Sequence, residues 1–547
     1  MISSFILGLS VLAGAVVGQL TFVPGSAPQN KKEPVQHRVA YAGPTGMAIS
    51  WSTYEPLTNP TVLYGTDVWN LTRSDPGEST TFNSSLTWSN HVKLTGLEPD
   101  TKYYYVVENS NCENCTEVSP YTFTTARPAG DYTPYVAALV IDMGVMGPLG
   151  ESVSSDYPYF KAEDHTTIQS LLRYSDSYDL LLHPGDLAYA DTWLPEAISG
   201  YLDVPNITIE TAQETYNHLL NAYYDEMQPI SSKKPYMVGP GNHESNCDEG
   251  GSTDPKTGFR YNISLCVEGQ RNFTGYIDHW RMPSTESKGV GNFWYSFDHG
   301  MVHYVFINTE TDLGNGLIAE DDVDGSEGMF SGPFGSYENE QVDWLEKDLA
   351  SVDRTKTPWI IVNGHRPWYA ASKNVSNTIC WNCKKAFEPI LLKYNVDMVF
   401  YGHIHYYERN APIANGVADP NELNNPSSPW YILNGAGGHY HGLTDYVEPF
   451  PDYSRFVQNT TFGWSRLTFH NCTHLTHNFI ASANGTVLDS ATLFKNHSCP
   501  ATGSGNYSKP NATQVIPAQV TTNSADNLSL SVTFIAILGI TTLVLAA

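Results

Sequence analysis

The alternation of apolar and polar positions changes character along the chain. From residue 35 to 126, short β-rich runs recur at close intervals (HRVAYAG, GMAISWST, TVLYGT, HVKLTGL, KYYYVVE and YTFTTA), separated by turn residues. Runs of this length and composition predict the strands of an all-β sandwich. After residue 133, longer apolar runs alternate with helical patterns, which predicts an α/β region. In ETYNHLLNAYYDEM, Tyr216, Leu219, Leu220, Tyr223, Tyr224 and Met227 fall on one helical face, so a core-facing helix is expected there. ENEQVDWLEKDLASV predicts a second amphipathic helix, beyond a glycine-rich and acidic loop at 310–335. The acidic residues Glu320, Asp321, Asp322 and Asp324 lack the Gly and Glu placement of an EF-hand, so a solvated loop is expected rather than a calcium site.

The segment LTGLEPDTKYYYVVE resembles the fibronectin type III pattern, in which a Leu, a Pro and alternating tyrosines pin the last strands. It marks residues 33–127 as a structural module, with Arg127-Pro128-Ala129-Gly130 as a linker to a second domain at 133–499. Residues 1–19, with the apolar run Phe5 to Val17 before Gly18, have the form of a secretory signal, although their n-region lacks Lys and Arg. Fourteen Asn-x-Ser/Thr sites fit the same route. At the other end, a Ser/Thr/Asn-rich linker at 501–529 precedes an apolar tail at 530–547. Small residues at Asn523 to Ala525, a polar spacer and a terminal tail form a glycolipid-anchor signal; a transmembrane tail and a docked helix are the alternatives.

Composition narrows the choice of partners. With 57 acidic against 29 basic side chains the net charge is −28, which repels nucleic acid and anionic membranes, leaving a lipid anchor as the only expected membrane contact. Eight cysteines suit an oxidising compartment and pair by proximity as Cys112 with Cys115, Cys247 with Cys266, Cys380 with Cys383 and Cys472 with Cys499. Two pairs have CxxC spacing, which also occurs in zinc and redox motifs, but both lie in polar, loop-like stretches that favour local disulfides.

Candidate chemistry gathers where apolar runs stop. YVAALVIDMG ends at Asp142, YDLLLHPGDLAY at Asp186 and Tyr189, KPYMVGPGNHE at Asn242 and His243, TPWIIVNGH at His365, and VDMVFYGHIH at His403 and His405. In α/β sheets, loops at the carboxyl ends of strands hold side chains on a rigid edge. Carboxylate, amide, phenol and imidazole without thiolate suit hard or borderline cations. Seven such donors can form two adjacent sites if Asp186 bridges, and two metals about 3.5–4 Å apart can clamp a phosphoryl group and generate hydroxide.

DMG, GDLAY, GNHE, a strand-end NGH and GHIHYYE, in this order, resemble the purple acid phosphatases of the metallophosphoesterase superfamily over residues 133 to about 495. The resemblance implies a metallophosphoesterase sandwich of mixed β-sheets flanked by helices, following the all-β domain. It also implies Fe(III) on Asp142, Asp186, Tyr189 and His405, and a divalent Zn, Fe or Mn on Asp186, Asn242, His365 and His403. Tyr189 would give a visible charge-transfer colour, and His243 would face the substrate. The implied activity is extracellular hydrolysis of small phosphate monoesters at acid pH by a metal-bound hydroxide, from a secreted protein anchored at the cell surface or wall. A phosphodiesterase or nucleotide pyrophosphatase on the same core, and a catalytically silent surface glycoprotein, are the alternatives.

Two departures from the family pattern stand out. Ile141 occupies the position usually held by glycine before the first aspartate, and residues 366–402 contain no histidine where a second substrate-facing one is common. His439, in the second GHxH motif LNGAGGHYHGL, could replace it as a catalytic residue or could be structural; Arg366 is its rival, with a guanidinium suited to phosphate oxygens.

Overall fold

The computed structural model describes residues 27–108, 119–145, 164–198, 208–245, 267–313, 334–337, 339–372, 378–438 and 442–498. The N-terminal part is a sandwich of two four-stranded antiparallel sheets. One runs in the order Val35–Tyr41, Met47–Thr53, Trp88–Leu94, Glu78–Thr80, and the other Asn70–Arg73, Val62–Asp67, Lys102–Val107, Tyr121–Thr124. All six expected runs form strands. Along Lys102–Val107, burial alternates so that Tyr103, Tyr105 and Val107 point inward, as the two-residue period of a strand dictates. The two strands without an expectation, Asn70–Arg73 and Glu78–Thr80, are short, polar edge strands with no buried residue. They carry no apolar alternation to signal them.

Val35–Tyr41 departs from one-sided burial, with every residue after Val35 buried. The helix Ile209–Ser231 contacts this strand: Gln36 Nε2 donates to Asn221 Oδ1 at 2.9 Å, and Ser231 Oγ donates to the His37 carbonyl at 2.8 Å. This is the expected core-facing helix. Thr208 caps its start in a reciprocal box with Thr211, and Pro229 lies in its last turn. Tyr216, Leu219, Tyr223, Tyr224 and Met227 are buried, whereas Leu220 is only partly so. The expected amphipathic helix after the acidic loop runs from Glu340 to Ser351 and buries Trp344, Leu345 and Leu349.

The α/β part contains two mixed sheets. The first has the order Tyr236–Gly239, Leu180–Pro184, Tyr135–Leu139, Gly463–Asn471, His474–Ala481, Val487–Phe494; its first three strands are parallel and the rest antiparallel. The second contains the parallel run Val302–Phe306, Trp359–Asn363, Met398–Tyr401, Trp430–Asn434, with antiparallel strands at both ends. These parallel strands are buried throughout, which explains their continuous apolar sequence. Aromatic side chains join the sheets: Tyr407 stacks on Phe479 with centroids 4.1 Å apart, and Tyr135 Oη lies 2.9 Å from Tyr304 Oη.

Cys380 and Cys383 form a disulfide at the start of the helix Trp381–Lys393, and Cys472 is also disulfide-bonded. The other expected cysteine partners, the segments 1–19, 501–529 and 530–547, and the acidic residues 320–324 lie outside the described residues. Among the described residues no helix is long and apolar enough to cross a membrane.

Candidate metal centre

Five strands end at the candidate donors, and they come from both sheets. Tyr135–Leu139, Leu180–Pro184 and Tyr236–Gly239 of the first lead to Asp142, Asp186 with Tyr189, and Asn242. Trp359–Asn363 and Met398–Tyr401 of the second lead to His365 and to His403 with His405. The turns after these strands are tight. Asp142, Asp186, Tyr189 and His403 all have positive φ, between 52° and 68°. Asp and His tolerate this left-handed region better than Tyr, so Tyr189 is the strained member. Glycines permit the close approach: a Cβ on Gly185, itself at φ +103°, would lie 2.4 Å from His365 Nδ1, and one on Gly402 would lie 2.2 Å from Asp142 Oδ2.

All seven donors converge. Tyr189 Oη lies 2.8 Å from Asp142 Oδ1, 3.1 Å from Asp186 Oδ2 and 2.9 Å from His405 Nε2. Asn242 Oδ1 lies 3.0 Å from His365 Nε2 and 2.9 Å from His403 Nδ1. The halves meet at Asp186 Oδ2, which is also 3.0 Å from His365 Nε2. Asp186, His365 and His403 offer ligand atoms within 4.8 Å of one another.

The electrostatics ask for positive charge. Burial pushes Asp142 up to about 8, against the pull of His365 and with Asp186 adding to the rise. Burial also acts to raise Asp186, but His365 and His243 outweigh it and hold this carboxyl well below its ordinary range. His365 loses by burial and gains more from Asp186, rising to about 9, while burial depresses His405 to about 3. Burial, then Asp142 and Asp186, raise the Tyr189 phenol well above its ordinary value. Two carboxylates and a phenol buried together are costly as anions, and with the imidazoles beside them they are favourable as ligands. The donor set therefore fits a pair of cations bridged by Asp186.

Two residues at the site were not singled out from the sequence. Asp191, fully buried in the 3-10 turn Ala190–Thr192, accepts from His243 Nδ1 at 2.8 Å. Burial raises its carboxyl, opposed by His243. Glu244 accepts the backbone N–H of Asp186, Leu187 and Gly241 at 2.8–2.9 Å, so it holds the Asp186 turn; burial lifts it to about 7. Both are final letters of conspicuous segments, HPGDLAYAD and GNHE, which was the available signal. His243 packs on the Tyr189 ring with centroids 4.2 Å apart, and its backbone N–H donates to Asp186 Oδ1 at 3.0 Å. His439 lies outside the described residues.

Mixed sheets with donors at strand ends from both layers define a metallophosphoesterase. Residues 159–407 match the calcineurin-like phosphoesterase family, residues 34–125 the purple acid phosphatase N-terminal domain, and residues 428–490 the iron/zinc purple acid phosphatase-like protein C family. The chain is 39% identical over 520 residues to acid phosphatase A of Cryphonectria parasitica, covering 90% of this chain and 97% of that protein. It is 32% identical to an acid phosphatase of Aspergillus ficuum, covering 83% of this chain and 85% of that one. Its fold matches purple acid phosphatase PPD1 from yellow lupin (Lupinus luteus) seeds with a TM-score of 0.63 at 24% identity, over 85% of this chain and 75% of that one. The chain belongs to the purple acid phosphatase family.

Proposed function

We propose that this protein is an acid phosphatase hydrolysing small phosphate monoesters outside the cell, with Fe(III) and a divalent Zn, Fe or Mn ion as its metals. Asp142, Asp186, Tyr189 and His405 would hold the ferric ion, and Asp186, Asn242, His365 and His403 the divalent one. The observation that carries this reading is the position of Asp186 Oδ2, within 3.1 Å of both Tyr189 Oη and His365 Nε2, one atom for each half. The relatives named acid phosphatase support the activity.

When bound, such a pair supplies Lewis acidity for a water nucleophile and neutralises charge on the phosphoryl group. The chain's own residues do the rest. His243 Nδ1 donates to Asp191 Oδ2, which fixes the ring and stabilises its imidazolium. The protonated Nε2 then donates to a phosphoryl oxygen, an interaction strengthened as negative charge builds there in the transition state. Glu244 keeps the Asp186 turn rigid through three backbone N–H groups, so the bridging carboxylate does not reorganise during turnover.

The reading includes cleavage of residues 1–19, a division at 33–127 and 133–499, the linker 501–529, and replacement of 530–547 by a glycolipid. Release from cells by a phosphatidylinositol-specific phospholipase would test the anchor. For the centre, the measurement is metal content and visible absorbance of purified protein beside its Tyr189→Phe variant. One iron and one divalent ion, with colour lost in the variant, are expected; one cation alone, or a band unaffected by Tyr189→Phe, overturns the assignment.

A further inference from the structure

One buried ion pair beside the site has no part in the chemistry described above. Arg366 follows His365 directly, and its side chain is sealed from solvent, as is that of Glu310. Arg366 Nε and Nη2 each lie 2.7 Å from Glu310 Oε2. Thr309 completes the bracket: its Oγ1 donates to Glu310 Oε1 at 2.9 Å and accepts the Arg366 backbone N–H at 3.0 Å. The strand ends carrying them, Val302–Phe306 and Trp359–Asn363, are parallel neighbours.

The acidic end is itself fixed. Gln341, buried in the helix Glu340–Ser351, accepts the Asn308 N–H and donates to the carbonyls of Asn308, Thr311 and Asp312. Asn308 Oδ1 accepts the Glu310 N–H at 2.8 Å. On the other side, Cys383 Sγ touches the Thr309 carbonyl at 3.6 Å. Glu310 is thus a rigid acceptor that dictates where the guanidinium points.

It points at a candidate ligand. Arg366 Nη1 lies 3.3 Å from His403 Nε2, while His403 Nδ1 faces Asn242 Oδ1 at 2.9 Å. Both edges of the imidazole are therefore occupied, with the candidate divalent site on one edge and Arg366 on the other. A buried ion pair stabilises a fold little compared with apolar residues of the same volume, because desolvation offsets the attraction. Its contribution lies in direction, since the planar fork holds one orientation where an ammonium would not.

We propose that Glu310 and Arg366 are positioning residues that orient the His403 ring and so set the affinity of the divalent site. This rests on the metal assignment made above. The pair connects His365 and His403, two ligands of one ion, through a single bracket, so both would loosen together if it were broken.

The test is zinc affinity of the iron-loaded full-length protein, measured by chelator competition, with visible absorbance reporting the ferric half and thermal unfolding reporting the fold. Arg366→Lys keeps the charge and removes the fork; Glu310→Gln combined with Arg366→Met removes both charges, avoiding an unpaired one. Zinc should bind about 10- to 100-fold more weakly in each variant, the loss typical of disturbed ligand supports, with colour and unfolding temperature retained. Wild-type zinc affinity in both variants overturns the proposal. So does joint loss of colour, zinc and thermal stability, which marks a role in folding alone, and so does weakened inorganic phosphate inhibition with unchanged zinc, which marks a substrate contact. Wild-type protein lacking a second metal would instead overturn the centre itself, and this inference with it.

Discussion

Replacing Asp191 by Asn separates the charge of the His243 partner from its shape. The bond it makes neutral is charge-assisted, 2.8 Å long and formed by a fully buried carboxylate. Hydrogen bonds to charged groups contribute about 1.5–3 kcal/mol and neutral ones about 0.5–1.5, so removing the charge alone costs about 1–1.5 kcal/mol. At about 1.36 kcal/mol per factor of ten, losing that difference lowers turnover near neutrality by about 5- to 13-fold. The sign follows from charge: Asp191 favours imidazolium, so without it the descending, high-pH limb of activity moves toward acid. Asn still accepts from Nδ1, so ring orientation survives and activity should recover as pH falls. The assay is kcat/KM for a chromogenic monoester from pH 3 to 8, with metal content measured in parallel. A profile that keeps its wild-type limb, or a uniform loss at every pH, would refute the assignment of a proton-donating role to His243.

Two further outcomes follow from the geometry. Gly185→Ala puts a Cβ 2.4 Å from His365 Nδ1 at a φ of +103°, so the Asp186 turn must shift; metal content and activity should fall at least tenfold, read by elemental assay and monoester hydrolysis. His303, between Asp298 at 2.7 Å and Asp348 at 2.9 Å, rises from 6.5 to about 9 because these bonds outweigh burial. A raised folded pKa means stability fully present below pH 6.5 and lost as pH climbs through 9. The full shift corresponds to about 3 kcal/mol, reduced to about 1–2 because the Asp298 carboxylate is 40% exposed. Chemical denaturation of wild type and His303→Gln should differ more at pH 6 than at pH 9.5; a constant difference would contradict the coupling.

The strands were legible because burial writes itself into sequence. Apolar runs such as WIIVN and MVFY can only be interior, and donors immediately after them stand at strand ends. The helix Ile209–Ser231 was legible by its stripe. The division of the five strands between two layers was not, because periodicity reports which face is buried and not what covers it. Asp191 and Glu244 escaped notice for a different reason. Their value comes from partners at positions 243 and 186, and a lone carboxylate in a turn looks the same whether or not it meets one. Glu310, 56 residues from Arg366, shares that property; Arg366 stood out as a phosphate contact, while its pairing with Glu310 left no mark in the sequence.

Because donors descend from both sheets, alignment of the two layers is a condition of chemistry as well as of folding. The Tyr407–Phe479 stack and the Tyr135–Tyr304 contact act as registration pins between the layers. A substitution that lets one layer slide on the other can leave the protein folded yet slow. In this molecule the packing of the hydrophobic interior is part of the geometry of the site.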